Sequence, residues 1–414
     1  MIVPVNRERL LQRFLQYVQI GTAADPHSET YPSSPQQKDL SRVLAEQLVA
    51  LGVADAHMDD HGLVWGTVPA NVAGAPAIAL NSHVDTSPEA PGDDVKPQVI
   101  VYQGGDIPLP EDNQVIRVAD CPELADLVGK TLITTDGTTL LGGDDKAGVA
   151  IIMELVATLI ENPQLPHGPV KILFSCDEEI GHGTDKIDLA QLDAVAAYTL
   201  DGGGAGDLDV ETFSADGVLV TFTGRNIHPS IGKGRMVNAT RAAGFFLQQL
   251  PDDSLSPEST DGRDGFIHPY EVEGGVGRAE LRVLLRSFDT AELTQYADRL
   301  RQAATATEQQ YPGLAVRVEV KPQYRNMADG LRENPRVADL AEQAFRNLGR
   351  PVRRSIIRGG TDGSALTEKG LPTPNLSSGQ HAIHSLHEFA CLEEMIQAVE
   401  HLQELLRLWS EVSA

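Results

Sequence analysis

The stretch Ala77-Ile78-Ala79-Leu80-Asn81-Ser82-His83-Val84-Asp85 opens on a short apolar run and closes on polar and ionisable side chains. Two later stretches repeat the pattern. Val170 to Phe174 leads into Ser175-Cys176-Asp177-Glu178-Glu179, and Ala194 to Leu200 leads into Asp201-Gly202-Gly203-Gly204. Each reads as a strand buried on both faces, because such strands are continuous apolar runs rather than alternating ones. Between the first two, Ala147 to Ile160 reads as a helix. Strands alternating with helices predict an α/β sheet, and ligands of such sheets bind beyond the carboxyl ends of the strands.

Outward from these strands, Leu10, Leu11, Phe14, Leu15 and Val18 recur at helical spacing, as do Leu40, Val43, Leu44 and Leu48. From Gly217 to Arg325 the pattern changes. Strands are expected at Val218–Phe222, Arg278–Phe288 and Leu314–Val320, with helices at Ala239–Leu250 and Thr290–Gln310. That order predicts a smaller α+β domain, 215–325, inserted between the two parts of a larger one, 1–214 and 326–414. The α/β pattern resumes after Pro335 and ends in a helix from about Leu392 to Ser410.

A chain of 414 residues exceeds one average core, so two domains fit its length. The 59 acidic and 33 basic residues give a net charge of −26, which disfavours nucleic acid and anionic membranes as partners. Most of that charge reads as solvated surface. The three cysteines, Cys121, Cys176 and Cys391, are far apart, which argues against a disulfide framework or a thiolate metal site. The longest apolar stretch, Ala147–Ile160, is broken by Glu154 and is too short to span a bilayer. Asn6 to Arg9 is too polar for a signal peptide, and a cytoplasmic enzyme is expected.

The chemistry concentrates at the strand ends. His83 and Asp85, two apart on a strand, point the same way. A carboxylate there can fix the tautomer of a metal-binding imidazole, although a structural hydrogen bond would look the same. Gly142-Gly143-Asp144-Asp145-Lys146 reads as a tight turn into a helix, where either aspartate could also serve as an N-cap. Asp177, Glu178 and Glu179 crowd like charges at the end of a buried run, which costs free energy unless a cation or solvent compensates. Adjacent acids can divide labour, one ligating metal and the other acting as general base. Asp201 can be a turn residue. His384 lies in a loop, 379–389, whose three histidines and one glutamate can equally be surface polarity. Together these side chains supply one bridging carboxylate, two histidines and two terminal carboxylates for two metals. Nitrogen and oxygen ligation without thiolate suits zinc, with cobalt or manganese as alternatives.

The set resembles the M20 family of metallopeptidases, over nearly the whole chain. The resemblance is carried by Ser82-His83-Val84-Asp85-Thr86-Ser87-Pro88, Gly104-Gly105-Asp106-Ile107, Thr131 to Gly148, Pro166-His167-Gly168, Asp177 to Gly181, Tyr198 to Gly204, Asn226-Ile227-His228-Pro229, Ile357 to Gly363, and His384 to Phe389. It implies a zinc-peptidase-like catalytic domain, with a mixed central sheet flanked by helices and an inserted α+β lid. It also implies hydrolysis of the N-terminal residue of tripeptides, and two zinc ions per chain. Asp144 would be the bridging ligand, with His83 and Asp201 completing one site and Glu179 and His384 the other. Asp85 would orient His83, Glu178 would be the general base, and the Asp144–Asp145 peptide would be cis. Arg358 resembles the arginine that grips a peptide carboxylate, and His228 the lid histidine that polarises the scissile carbonyl. A structural ion pair would account for Arg358 as well. A homodimer through the inserted domain is implied too. Gly143 stands where the family usually has alanine. Alternatives are an M20 dipeptidase, an N-acyl-amino-acid hydrolase, a non-catalytic peptide-binding protein on the same fold, or a purely structural acidic protein.

Overall fold

The computed structural model describes residues 2–111 and 113–413. The chain divides into two compact units, one of Met1–Val210, Gly330–Ser355 and Thr361–Ala414, the other of Glu211–Asp329 and Ile356–Gly360.

In the larger unit four strands run parallel in the order Val170–Ser175, Ile78–His83, Ala196–Gly203, Asn375–His381. Antiparallel strands extend the sheet on both sides, Val64–Val68 on one and Phe389–Cys391, Thr131–Thr134 and Gln98–Val101 on the other. The sheet is therefore mixed, and the three apolar runs are three of its four parallel strands. The fourth, Asn375-Leu376-Ser377-Ser378-Gly379-Gln380-His381, carries no apolar run, yet it is buried almost throughout. Asn375, Ser377 and Ser378 find hydrogen-bond partners inside the sheet. The Asn375 Oδ1 accepts from the Thr199 hydroxyl at 2.7 Å and from the Asp201 amide at 3.0 Å, and its Nδ2 donates to Asp209 at 3.0 Å. A central strand can be this polar because most of its buried groups have a partner, although the Gln380 Oε1 has none among the described residues.

The helix Gly143–Glu161 is buried from end to end except at its last two residues, as its nearly continuous apolar sequence requires. It packs on the strands Ile78–His83, Ala196–Gly203 and Asn375–His381 and on the helices Arg7–Val18 and Leu392–Ser410. Glu154, which interrupts the apolar run, is fully buried and satisfied by the first helix. Arg9 donates to both of its oxygens, at 2.7 and 2.8 Å, and Arg13 donates at 3.0 Å. One glycine lets this helix lie against the strand ends. A Cβ on Gly148 would sit 2.4 Å from the Leu200 carbonyl oxygen and 2.5 Å from Asp145 Oδ1. Backbone cannot yield as a side-chain tip can, so Gly148→Ala is expected to destabilise the protein by about 1–3 kcal/mol. Denaturant unfolding of the purified variant checks this, and an unchanged midpoint would refute it.

The smaller unit is an antiparallel sheet in the order Phe266–Gly274, Arg278–Ser287, Ser214–Thr223, Ala315–Tyr324. The helices Ala239–Leu247 and Thr290–Gln310 cover it around a core that includes Val220, Phe222, Phe246, Leu281, Val283 and Leu300. The strand Phe266–Gly274 is unexpected from the sequence. It is an edge strand, mostly exposed, and its register breaks between Pro269 and Glu271. Proline and charge are tolerated on an edge and hide the strand from periodicity. No helix among the described residues is long and apolar enough to cross a membrane.

Candidate metal centre

The parallel strands deliver their ends to one edge of the sheet, and the ionisable side chains gather there. His83 is the last residue of Ile78–His83. Its Nε2 lies 3.1 Å from Asp144 Oδ1 and 3.8 Å from Asp201 Oδ1. Its Nδ1 faces Asp85, 3.1 Å from the backbone oxygen and 3.3 Å from Oδ1. The buried Asp85 carboxylate also accepts the backbone N–H groups of Glu178 and Glu179, each at 3.1 Å. One side chain thus orients an imidazole and pins the turn that presents both glutamates.

Asp144 stands between the two histidines. Its Oδ1 faces His83 and its Oδ2 lies 3.3 Å from His384 Nε2. The same His384 nitrogen is 3.0 Å from Glu179 Oε2. His384 has a left-handed backbone, φ 59°, in the loop after Asn375–His381, and its Nδ1 lies 3.2 Å from Glu89 Oε2. The Asp144–Asp145 peptide is cis, and Asp144 and Asp145 have non-helical dihedral angles. The residue at the N-cap position is Gly142, in the left-handed region at φ 76°, and it makes no side-chain cap. Asp144 is therefore no N-cap. Asp145 turns the other way, accepting from the Ser82 hydroxyl at 2.5 Å and the His83 amide at 3.3 Å.

The loop with three histidines is not surface polarity. His381 pairs with Glu394 at 2.7 Å and stacks on Phe389, His387 meets Gln114 at 3.0 Å, and Glu388 is buried. Nor does Asp177 draw on a cation. It accepts from the Ser33 amide at 2.6 Å, the Ser33 hydroxyl at 2.5 Å and Gln37 Nε2 at 2.6 Å. Those partners, far off in sequence, carry no local signal.

Five carboxylates (Asp85, Asp144, Glu178, Glu179 and Asp201) and two imidazoles converge here. Among the described residues, no lysine or arginine is ion-paired with any of them. Burial, reinforced by the Asp144 charge, lifts the Glu179 carboxyl to about 8 and that of Asp201 to about 7. Burial also lifts Glu178 well above the carboxylate range. On His384 burial acts downward, but hydrogen bonds to Asp144 and Glu179 outweigh it and bring the imidazole to about 11. His83 is raised in the same way by Asp144, Asp201 and Asp85. Left to itself the cluster takes up protons to neutralise its charge, whereas a divalent cation neutralises it with the ligands ionised.

Two groups of side chains fit such a cation, His83–Asp144–Asp201 and Asp144–Glu179–His384. In each, the ligand atoms all lie within 4.8 Å of one another, and Asp144 belongs to both. Glu179 Oε1 is buried and has no hydrogen-bond partner, as a carboxylate made for a metal would be. Glu178 belongs to neither group, and its Oε2 lies 3.9 Å from His83 Nε2.

The two residues expected to contact substrate lie in the smaller unit. Arg358 donates from Nη1 to the Gly262 and Asp264 carbonyls, at 3.1 and 2.8 Å, and from Nη2 to Thr260. Its guanidinium also lies over the Phe213 and Phe266 rings. Backbone carbonyls and rings thus hold it in this unit. His228 Nδ1 lies 2.7 Å from the Ser230 hydroxyl, and the ring is at the start of a short helical turn.

Residues 137–408 match the family model described as peptidase family M20/M25/M40. A protein named peptidase T from Geobacillus thermodenitrificans is 42% identical over 98% of this chain and 99% of its own length. A peptidase T from Listeria monocytogenes is 39% identical over the same shares. Among solved structures, the aminopeptidase PepT of Bacillus cereus superposes with a TM-score of 0.74 at 25% identity, covering 98% of this chain and all of that one. A tripeptidase from Staphylococcus aureus has the same fold, with a TM-score of 0.76 at 24% identity over 99% of this chain and all of that one. With a matched family model over most of the chain and full-length relatives at about this likeness, the chain belongs to the M20/M25/M40 peptidase family.

Proposed function

We propose that this chain is an aminopeptidase that removes the N-terminal residue of tripeptides, using two zinc ions held by His83, Asp144, Glu179, Asp201 and His384. The observation that carries the reading is Asp144, whose two oxygens each face a different histidine while Glu178 stands beside them outside both ligand groups. The full-length relatives named peptidase T support the substrate class.

When bound, the paired cations would supply Lewis acidity and lower the pKa of a water molecule. The rest falls to the protein. Asp85 holds the His83 ring and the glutamate turn in place. Glu178 takes the proton from the attacking water and delivers it to the leaving amine. By resemblance to the family, His228 polarises the scissile carbonyl, Arg358 grips the substrate carboxylate, and the segment 215–325 serves as lid and as the surface of a homodimer. In this reading Arg358 must exchange the Thr260–Asp264 loop for the substrate carboxylate. The buried, unpaired cysteines suit the reducing cytoplasm.

A length series of free and N-acetylated di-, tri- and tetrapeptides, with and without chelator, tests the proposal. Free tripeptides are expected to be cleaved fastest and the chelator to abolish cleavage. Equal or faster cleavage of acetylated peptides would favour an N-acyl-amino-acid hydrolase, and faster cleavage of dipeptides a dipeptidase.

A further inference from the structure

Glu388 is almost completely buried, and its carboxylate is spent on backbone. Oε2 accepts the N–H groups of Leu141 and Gly142, both at 2.8 Å, and Oε1 accepts that of Asp144 at 3.0 Å. These donors lie at the start of the long buried helix, Leu141 and Gly142 just before it and Asp144 in its first turn, where backbone N–H groups lack internal helical partners. A charged acceptor makes short, strong bonds to such groups. The contact is close enough that a Cβ on Gly143 would lie 3.2 Å from Oε1.

Glu388 and His384 belong to the same loop, between the strands Asn375–His381 and Phe389–Cys391. The loop is internally braced by the Ser385 hydroxyl donating to the Ala382 carbonyl at 2.7 Å and by the Glu388 amide donating to the Ser385 carbonyl at 3.3 Å. One loop therefore brings a histidine to Oδ2 of Asp144 and clamps the backbone of the same aspartate.

We propose that Glu388 is a positioning residue that fixes Asp144 midway between His83 and His384, so that occupancy of both metal sites depends on it. The inference rests on the two-metal reading above. A partner of this kind acts on affinity, commonly about 10- to 100-fold when removed. Because Asp144 is shared, the loss must fall on both sites, whereas altering His384 removes a ligand from one.

The test is calorimetric titration of zinc chloride into the chelator-stripped, full-length chain, for wild type, Glu388→Gln and His384→Ala, with melting curves recorded in chelator. Glu388→Gln keeps the volume and one acceptor oxygen but sets an amide NH2 against N–H donors. Weakening of both zinc equivalents by about 10-fold or more is expected, in a metal-free chain that still folds but melts below wild type because the backbone bonds to Glu388 are weakened. His384→Ala should weaken mainly one equivalent. Two equivalents at wild-type affinity in Glu388→Gln, or weakening of one alone, would overturn the proposal, as would a lower metal-free melting temperature with unchanged affinity. If Glu388→Gln does not fold, Glu388→Asp, which keeps the buried charge but shortens its reach, is held to the same outcomes. A wild-type chain that takes up no zinc would instead sink the two-metal reading.

Discussion

Glu178→Gln is expected to leave metal uptake at the wild-type level and to cut turnover of a tripeptide by about 10²- to 10⁴-fold, the range for loss of a positioned general base. The geometry separates the two effects. Glu178 lies in neither ligand group, and its backbone N–H is held by Asp85 whatever the side chain carries. Glutamine preserves shape and one acceptor oxygen but cannot accept a proton. Its neighbour behaves differently, because Glu179 faces His384 at 3.0 Å and its other oxygen is buried without a partner. Glu179→Gln should therefore lose metal together with turnover. Steady-state kinetics at saturating zinc, beside metal analysis of the same samples, distinguish the variants. Turnover of Glu178→Gln within a few-fold of wild type would remove Glu178 from the mechanism.

The sequence disclosed this site where chemistry and strand pattern coincide. Apolar runs place His83, Glu178, Glu179 and Asp201 at the ends of neighbouring strands, and those ends do meet at one edge of the sheet. The long final helix, Leu392–Ser410, was legible from its apolar period for the same reason. Where a strand is polar, periodicity fails. Asn375–His381 lies between Ala196–Gly203 and Phe389–Cys391 and is stabilised by side-chain hydrogen bonds rather than by an apolar pattern. Partnerships distant along the chain were also out of reach. Nothing near Asp177 announces Ser33 and Gln37, and nothing near Glu388 announces the amides of the 141–144 turn. A run of charge at a strand end looks the same whether a metal, a solvent shell or a distant amide will satisfy it, and only the folded arrangement sorts Glu179 from Asp177.

Asp144→Asn is expected to remove the paired arrangement altogether. Both three-residue groups contain Asp144, through a different oxygen toward each histidine. Asparagine retains one oxygen and replaces the other with an NH2 that cannot ligate a cation, so it can complete one group at most. The variant should hold no more than one zinc per chain, and that one more weakly. Stabilisation by ligand grows as RT ln(1 + [L]/Kd), about 2.7 kcal/mol at a concentration 100 times Kd, so the rise in melting temperature on adding zinc should shrink. Turnover should fall by more than the about 10- to 100-fold seen when only an outer partner of a metal ligand is removed. The effect differs in kind from that of Glu178→Gln, which disables a site that is still assembled. Residues that act as a unit are not additive, so the double variant should be no slower than Asp144→Asn alone. Metal analysis and thermal melting decide the matter apart from activity. Two zinc ions bound to Asp144→Asn at wild-type affinity would mean that each site is complete without the shared aspartate.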